Sequence, residues 1–207
     1  MRLAAFRRAF AAAVIVLAFA APAAASTPAE DLVANNIHKG FDILNDTHLT
    51  QDQRRAAFED FLIGVTDLKR VSIFTLGPYG EKATQADRDA FATAFQHYAV
   101  AVYQSYFQRY AGQTLKVTGS RANAPADDIV TTQMIDPQDQ GGKPLEVDFR
   151  VRSDTGTPVI VDFSVAGIWL APAERDQFVA FLGRDGGNVE ALIAYLDQLR
   201  AHIASGN

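Results

Sequence analysis

Residues 84–112, TQADRDAFATAFQHYAVAVYQSYFQRYAG, decide how the rest of the chain is read. Thr84 and Asp87 stand in capping-box spacing and Gly112 closes the run, so one long helix is predicted. Phe91, Phe95, Tyr98, Val102 and Tyr106 recur at three- and four-residue intervals along one face, while Tyr103, Phe107 and Tyr110 carry apolar surface round to a neighbouring face. One stripe packs a core; a second needs another partner. The helix is therefore read either as a central core helix or as one whose second face lines a cavity for an apolar ligand.

Upstream the pattern is also helical. Thr27-Pro28-Ala29-Glu30 combines an N-cap, a proline at the first helical position and an acid at the third, and Leu32, Val33, Ile37, Phe41 and Leu44 follow at helical spacing. Thr50 with Gln53 starts a second helix, which buries Ala57, Phe58, Phe61 and Leu62 before Gly64. A short third helix is expected over about 68–76, and Gly77-Pro78-Tyr79-Gly80 reads as a turn. Downstream the period falls to two. Residues 115–120, 129–135, 145–152 and 159–166 read as four strands separated by Pro-, Gly- and Asp-rich turns. Leu145, Val147, Phe149 and Val151 alternate with charged residues, and Val159, Val161, Phe163 and Val165 share a face opposite Ile160, Asp162 and Ser164. Two helices end the chain, one after Pro172 with Phe178, Phe181 and Leu182, and one from Asn188 with Val189, Leu192, Ile193, Leu196 and Leu199. The expected fold is a single α+β domain over residues 26–207. Its helices pack on one face of a four-stranded antiparallel sheet with an apolar cavity between them.

Residues 1–25 stand apart from that domain. Arg2, Arg7 and Arg8 precede an apolar run from Phe10 to Ala21, and Ala23-Ala24-Ala25 supplies an A-x-A site, so a signal peptide cleaved after Ala25 and export to the periplasm are expected. Arg7-Arg8-Ala9-Phe10 has part of a twin-arginine signal, which leaves the export route open. Cleavage removes three of 19 Lys and Arg and none of 24 Asp and Glu, so 16 minus 24 leaves a formal charge of −8. A surface of that sign disfavours nucleic acid. The absence of cysteine excludes disulfides and thiolate chemistry.

No motif of a marked enzyme class is present. His38, His48, His97 and His202 have no zinc-ligand spacing, and there is no nucleophile elbow, phosphate loop or dinucleotide fingerprint. Asp127-Asp128 reads as a solvated pair in a turn. Asp162, on a strand rich in Val and Phe, and His97, beside the aromatic stripe, are the one candidate catalytic pair.

Several stretches together resemble the MlaC-like periplasmic phospholipid-shuttle family, also described as toluene-tolerance auxiliary components of a lipid ABC transporter. They are residues 73–79, IFTLGPY, with Ala83-Thr84, Arg88, Phe91 and Phe95; then Tyr98, Tyr106 and Tyr110; then residues 161–168, VDFSVAGI, with Arg175, Phe178, Leu192-Ile193 and Leu196 after them. Gly80 stands where the family often has Trp, and Trp169 where it often has Ser, a change at the expected pocket mouth. A branch of the family is associated with hopanoid-producing bacteria, which makes a hopanoid an alternative cargo.

The resemblance implies a monomeric carrier without catalysis or cofactor, whose cargo is a bound phospholipid. It implies exchange of that lipid with an inner-membrane MCE-domain protein of the transporter and with an outer-membrane lipoprotein complex. Exposing a 16-carbon chain to water costs on the order of 12 kcal/mol, so such a carrier must cover most of each tail. The candidate wall is Phe91, Phe95, Tyr98, Val102 and Tyr106 on the long helix with Val147, Phe149, Val151, Val161, Phe163 and Val165 on the sheet. Phe74 and Leu76 are expected to close one end, and Trp169 to shape the mouth. Two other readings compete: a small cavity enzyme like the nuclear-transport-factor-like cyclases and isomerases, using Asp162 and His97, and an interaction protein whose cavity is a filled core.

Overall fold

The first two helices begin as their sequences require. Thr27 and Thr50 each accept the N–H three residues on, from Glu30 and Gln53, whose side chains accept the N–H of the threonine. The computed structural model describes residues 25–107, 110, 112–138 and 141–205, with the backbone but not the side chains of Tyr106 and Phe107. Most of the expected signal peptide lies outside the described residues. The helices are α1 (Pro28–Asn45), α2 (Gln51–Val65), α3 (Leu68–Thr75), α4 (Pro78–Lys82), α5 (Gln85–Phe107), α6 (Leu170–Arg184) and α7 (Val189–Ala204). Between α5 and α6 run five strands, β1 (Thr114–Ala124), β2 (Asp127–Ile135), β3 (Glu146–Arg152), β4 (Val159–Val165) and β5 (Ile168–Trp169). They form one antiparallel sheet in chain order, so the fold is α+β as expected, with one strand more.

Three local departures from the sequence reading have physical causes. The residues read as a turn at 77–80 begin a short helix instead, because Pro78 at its first position has its φ preset and lacks only an N–H that would go unpaired there. The extra strand forms because Ala166 and Gly167 both take positive φ, which folds Ile168–Trp169 back onto the edge of β4. Tyr110 and Gly112 lie beyond the long helix; Tyr110 packs its ring on Phe41 at 5.6 Å and donates its hydroxyl to Asn45 Oδ1 at 3.1 Å. At the other end of the helix the Thr84 box holds, with the Asp87 N–H donating to Thr84 Oγ1 at 3.1 Å.

Strand pairing sets the two faces of the sheet. Val130, Phe149 and Phe163 stand opposite one another across β2, β3 and β4, as do Thr132, Val147 and Val165. Between Asp162 and Ile160 the register slips by one, which leaves Val161 as the extra residue of a bulge. Ile160, and not Val159 or Val161, therefore pairs with Val151 on the Phe149 face. This corrects the uniform alternation expected along β4. The opposite face carries Asp127, Arg150 and Arg152, where Arg150 donates to both Asp127 oxygens at 2.9 and 2.7 Å.

Two cores result. Ala29 and Val33 of α1 pack on Val130, Val151 and Ile160, with Ile37, Val117 and Phe149 around them. The second is a helix core of Leu76, Phe91, Phe95, Phe178, Leu182, Leu192 and Leu196. It reaches the sheet through β4, which α3 and α6 contact. The remaining edge of β4 is closed by the Thr66 bridge to Ile160, which blunts an otherwise open strand.

Candidate functional site

The aromatic stripe of α5 is divided between these two environments. Phe91 and Phe95 are buried in the helix core, where both meet Phe178 nearly edge-on at 6.1 and 6.4 Å. About two turns after Phe95 the helix meets β4, and the Tyr103 ring lies 5.5 Å from Phe163, which lies 6.3 Å from Phe149. Tyr103, Phe149 and Phe163 are all only half buried. α1 covers the sheet along β1 and β2, while the nearest neighbours of α2 are α1 and α5. Phe149 borders the Val130–Val151–Ile160 core and Tyr103 the helix core, so the Phe149–Phe163–Tyr103 surface lies between the two and is less buried than either.

The candidate wall sorts accordingly. Val147, Phe149, Val151, Phe163 and Val165 share the inner face of the sheet, with Ile160 beside them. Val102 is half buried on α5 next to Tyr103. Leu76, Phe91 and Phe95 lie in a core that contains no strand residue. Phe74 is 40% exposed, with the Arg175 guanidinium 4.9 Å above its ring. The Tyr106 side chain lies outside the described residues. Trp169 pairs with Ser164 and so stands on the face opposite Phe163, whereas Ile168, 64% exposed, pairs with Val165 on the inner face.

Burial sets the electrostatics of two carboxyls nearby. Tyr98 donates its hydroxyl to Glu174 Oε1 at 2.9 Å, and Glu174 Oε2 is buried without a partner among the described residues. Burial raises the Glu174 carboxyl above its ordinary value, and the tyrosine offsets this only in part. Burial likewise raises Asp162, against the backbone N–H groups of Ala171 and Phe163, which donate to its Oδ1 at 2.9 Å each. Asp162 thereby fastens the start of α6 to β4. His97 is exposed on α5, so the structure gives the two members of the candidate catalytic pair different surroundings. Among the described residues no group of three or more His, Cys, Asp or Glu is placed to hold a metal ion, and no helix is long and apolar enough to cross a membrane.

Two concavities frame the site. One of about 410 Å³ lies between α4 and the α6–α7 turn, and Lys82, Asp87, Asn188 and Glu190 give it polar walls unsuited to hydrocarbon. The other, of about 180 Å³, opens where α1, α2 and α5 meet: Leu44, Phe58 and Tyr110 form its apolar side, and Gln51, Arg54, Arg55 and Gln104 its polar side. The sequence marked Phe41, Leu44, Phe58 and Phe61 as helical faces, but periodicity alone does not say what those faces meet. The two arginines carried no signal, because a lone basic pair on a helix reads as solvated surface.

Comparison with known proteins places this geometry. The family model for the MlaC protein matches residues 34–198. Among solved structures, a phospholipid-binding protein from Ralstonia solanacearum in complex with a phospholipid superposes with a TM-score of 0.67 at 21% identity, over 84% of this chain and 95% of that one. The family match runs from within α1 to within α7 and takes in the buried helix core, the strand side of the other core, the meander and the α1–α2–α5 opening, and on that ground the chain belongs to the MlaC family.

Proposed function

We propose that this chain is an exported lipid carrier. It holds the acyl chains of a phospholipid against Val147, Phe149, Phe163 and Val165 of the sheet, with Val102 and Tyr103 of α5 and the apolar sides of α1 and α2 closing over them. The observation that carries this reading is the half-buried Tyr103–Phe163–Phe149 cluster, an apolar surface between the two cores that keeps part of its area exposed. Membership in the MlaC family and the phospholipid in the Ralstonia solanacearum relative support it.

The carrier works by burial and carries out no catalysis. It takes lipid in the periplasm, as a monomer, from one membrane complex and gives it to another: an MCE-domain protein of an inner-membrane lipid ABC transporter on one side, an outer-membrane lipoprotein complex on the other. Neither partner needs to supply chemistry, because moving a tail from one apolar surface to another avoids the order of 12 kcal/mol that a 16-carbon chain costs in water. The cyclase or isomerase alternative needs Asp162 and His97 together, and Asp162 is buried with its Oδ1 accepting two backbone N–H groups while His97 is exposed on α5.

The test is native mass spectrometry with solvent extraction of the protein as purified from an expressing bacterium. Near-stoichiometric phospholipid is expected. Stoichiometric hopanoid in its place changes the cargo and keeps the carrier; a protein that is empty and also takes up no lipid from vesicles ends the proposal.

A further inference from the structure

The smaller concavity, where α1, α2 and α5 meet, presents two guanidinium groups to one space, and among the described residues none of those lining it carries a carboxylate. Among the described residues neither Arg54 nor Arg55 forms a salt bridge. Arg54 is half buried. Its Nη2 donates to the carbonyls of Asp46 at 2.7 Å and Leu49 at 3.4 Å, which fastens the α1–α2 connection, but its Nε is buried and has no acceptor among the described residues. A buried N–H left unanswered is uncommon, because it loses water without gaining a partner. Arg55 is exposed at the same opening, and Gln51 and Gln104 add neutral donors.

The concavity and the proposed tail site share α5, which gives Gln104 to the one and Tyr103 to the other. Tyr110 packs on Phe41, and Phe58 on Phe61 at 5.6 Å; Gln104 directly follows Tyr103, whose ring lies on Phe163. At about 180 Å³ the concavity is smaller than the roughly 300 Å³ at which ordinary ligand pockets begin, so it suits one group of a ligand and not a whole lipid. Guanidinium pairs match the oxygens of a phosphate better than any neutral head, through short, charge-assisted, often bidentate bonds. We infer that the Arg54–Arg55 pocket is the headgroup subsite and takes the phosphodiester oxyanion of a phospholipid. This rests on the lipid-carrier reading and extends it: the carrier selects lipids that bear a phosphate over neutral amphiphiles with equal tails.

The experiment uses a matched pair of short-chain lipids that differ only in the head, a phosphatidylglycerol and the diacylglycerol with the same chains, titrated into the delipidated protein. One charge-assisted hydrogen bond is worth about tenfold in affinity, so the wild-type protein is expected to favour the phosphatidylglycerol by about tenfold or more. Arg54→Gln and Arg55→Gln should each lower that ratio, the double variant should bring it near one, and Arg54→Lys should keep part of it. Arg54 also fastens a loop, so Arg55→Gln carries the test should Arg54→Gln lose its circular-dichroism signature. A wild-type ratio near one, or a ratio that Arg55→Gln leaves unmoved, overturns the headgroup assignment. So does inorganic phosphate alone raising the melting temperature of the wild type while the lipid ratio stays near one, which would mark a site for free phosphate. If neither lipid binds, the carrier reading itself fails along with this inference.

Discussion

Replacing Phe163 by aspartate puts a carboxylate at the centre of the aromatic cluster, between Tyr103 at 5.5 Å and Phe149 at 6.3 Å. Its cross-strand partner is Phe149, and Val147 and Val165 lie one pair further on, so none of these three can pair with it. The charge keeps its water, and that water displaces hydrocarbon. If about four methylenes of a tail are held off the wall at ~0.8 kcal/mol each, the loss is about 3 kcal/mol, or roughly a hundredfold in affinity. Copurification alone underreports such a change, because two tails bind with a large reserve. The assay is equilibrium partition of a fluorescent phospholipid between vesicles and protein, set so that the wild type is half loaded. Phe163→Leu serves as the apolar control and should partition within a few-fold of the wild type. A Phe163→Asp protein that melts as a folded domain and loads like the wild type would refute the placement of tails on this face.

Phe178→Ala should destabilise the protein by about 3–5 kcal/mol in denaturant unfolding, since the ring is fully buried among Phe91, Phe95 and Tyr98. Its lipid ratio should not move, because that core holds no strand residue. Asp127→Asn should cost about 3 kcal/mol, the low end for a broken buried pair because Arg150 is one third exposed. The Arg150 guanidinium holds the Asp127 carboxyl below its usual range, so this stabilisation is present at neutral pH and lost as the solution is acidified through the folded-state value. Unfolding of the wild type and the variant should therefore converge in acid. Glu174 has the opposite sign: burial raises its carboxyl, so its contribution is most favourable below the ordinary carboxylate range and is lost as pH rises through the raised value. Glu174→Gln should flatten that part of the stability–pH curve and keep the acceptor for Tyr98; an unchanged curve would refute the burial argument.

Local order was legible in the residues because its causes are local. The threonine caps at 27, 50 and 84 lie three residues from the groups they bind, and alternation in residues 145–152 exposes one face of a strand whatever it later meets. The order of helical and alternating segments carried the α+β class, and the family resemblance added the lipid. What no periodicity carried was which apolar face meets which. Phe91 and Phe163 are equally apolar as residues, yet one is sealed in a helix core and the other is left half wet against Tyr103. The β4 bulge moved Ile160 to the inner face in place of Val159 by a one-residue slip in pairing with β3, a relation that exists only between strands. Arg54 and Arg55 became candidates only once three helix ends met around them. Sequence by itself thus determined the elements, their caps and the sign of the surface, because those depend on neighbours along the chain. Tertiary structure decided core against cavity, because both are built from the same side chains and differ only in what lies across from them.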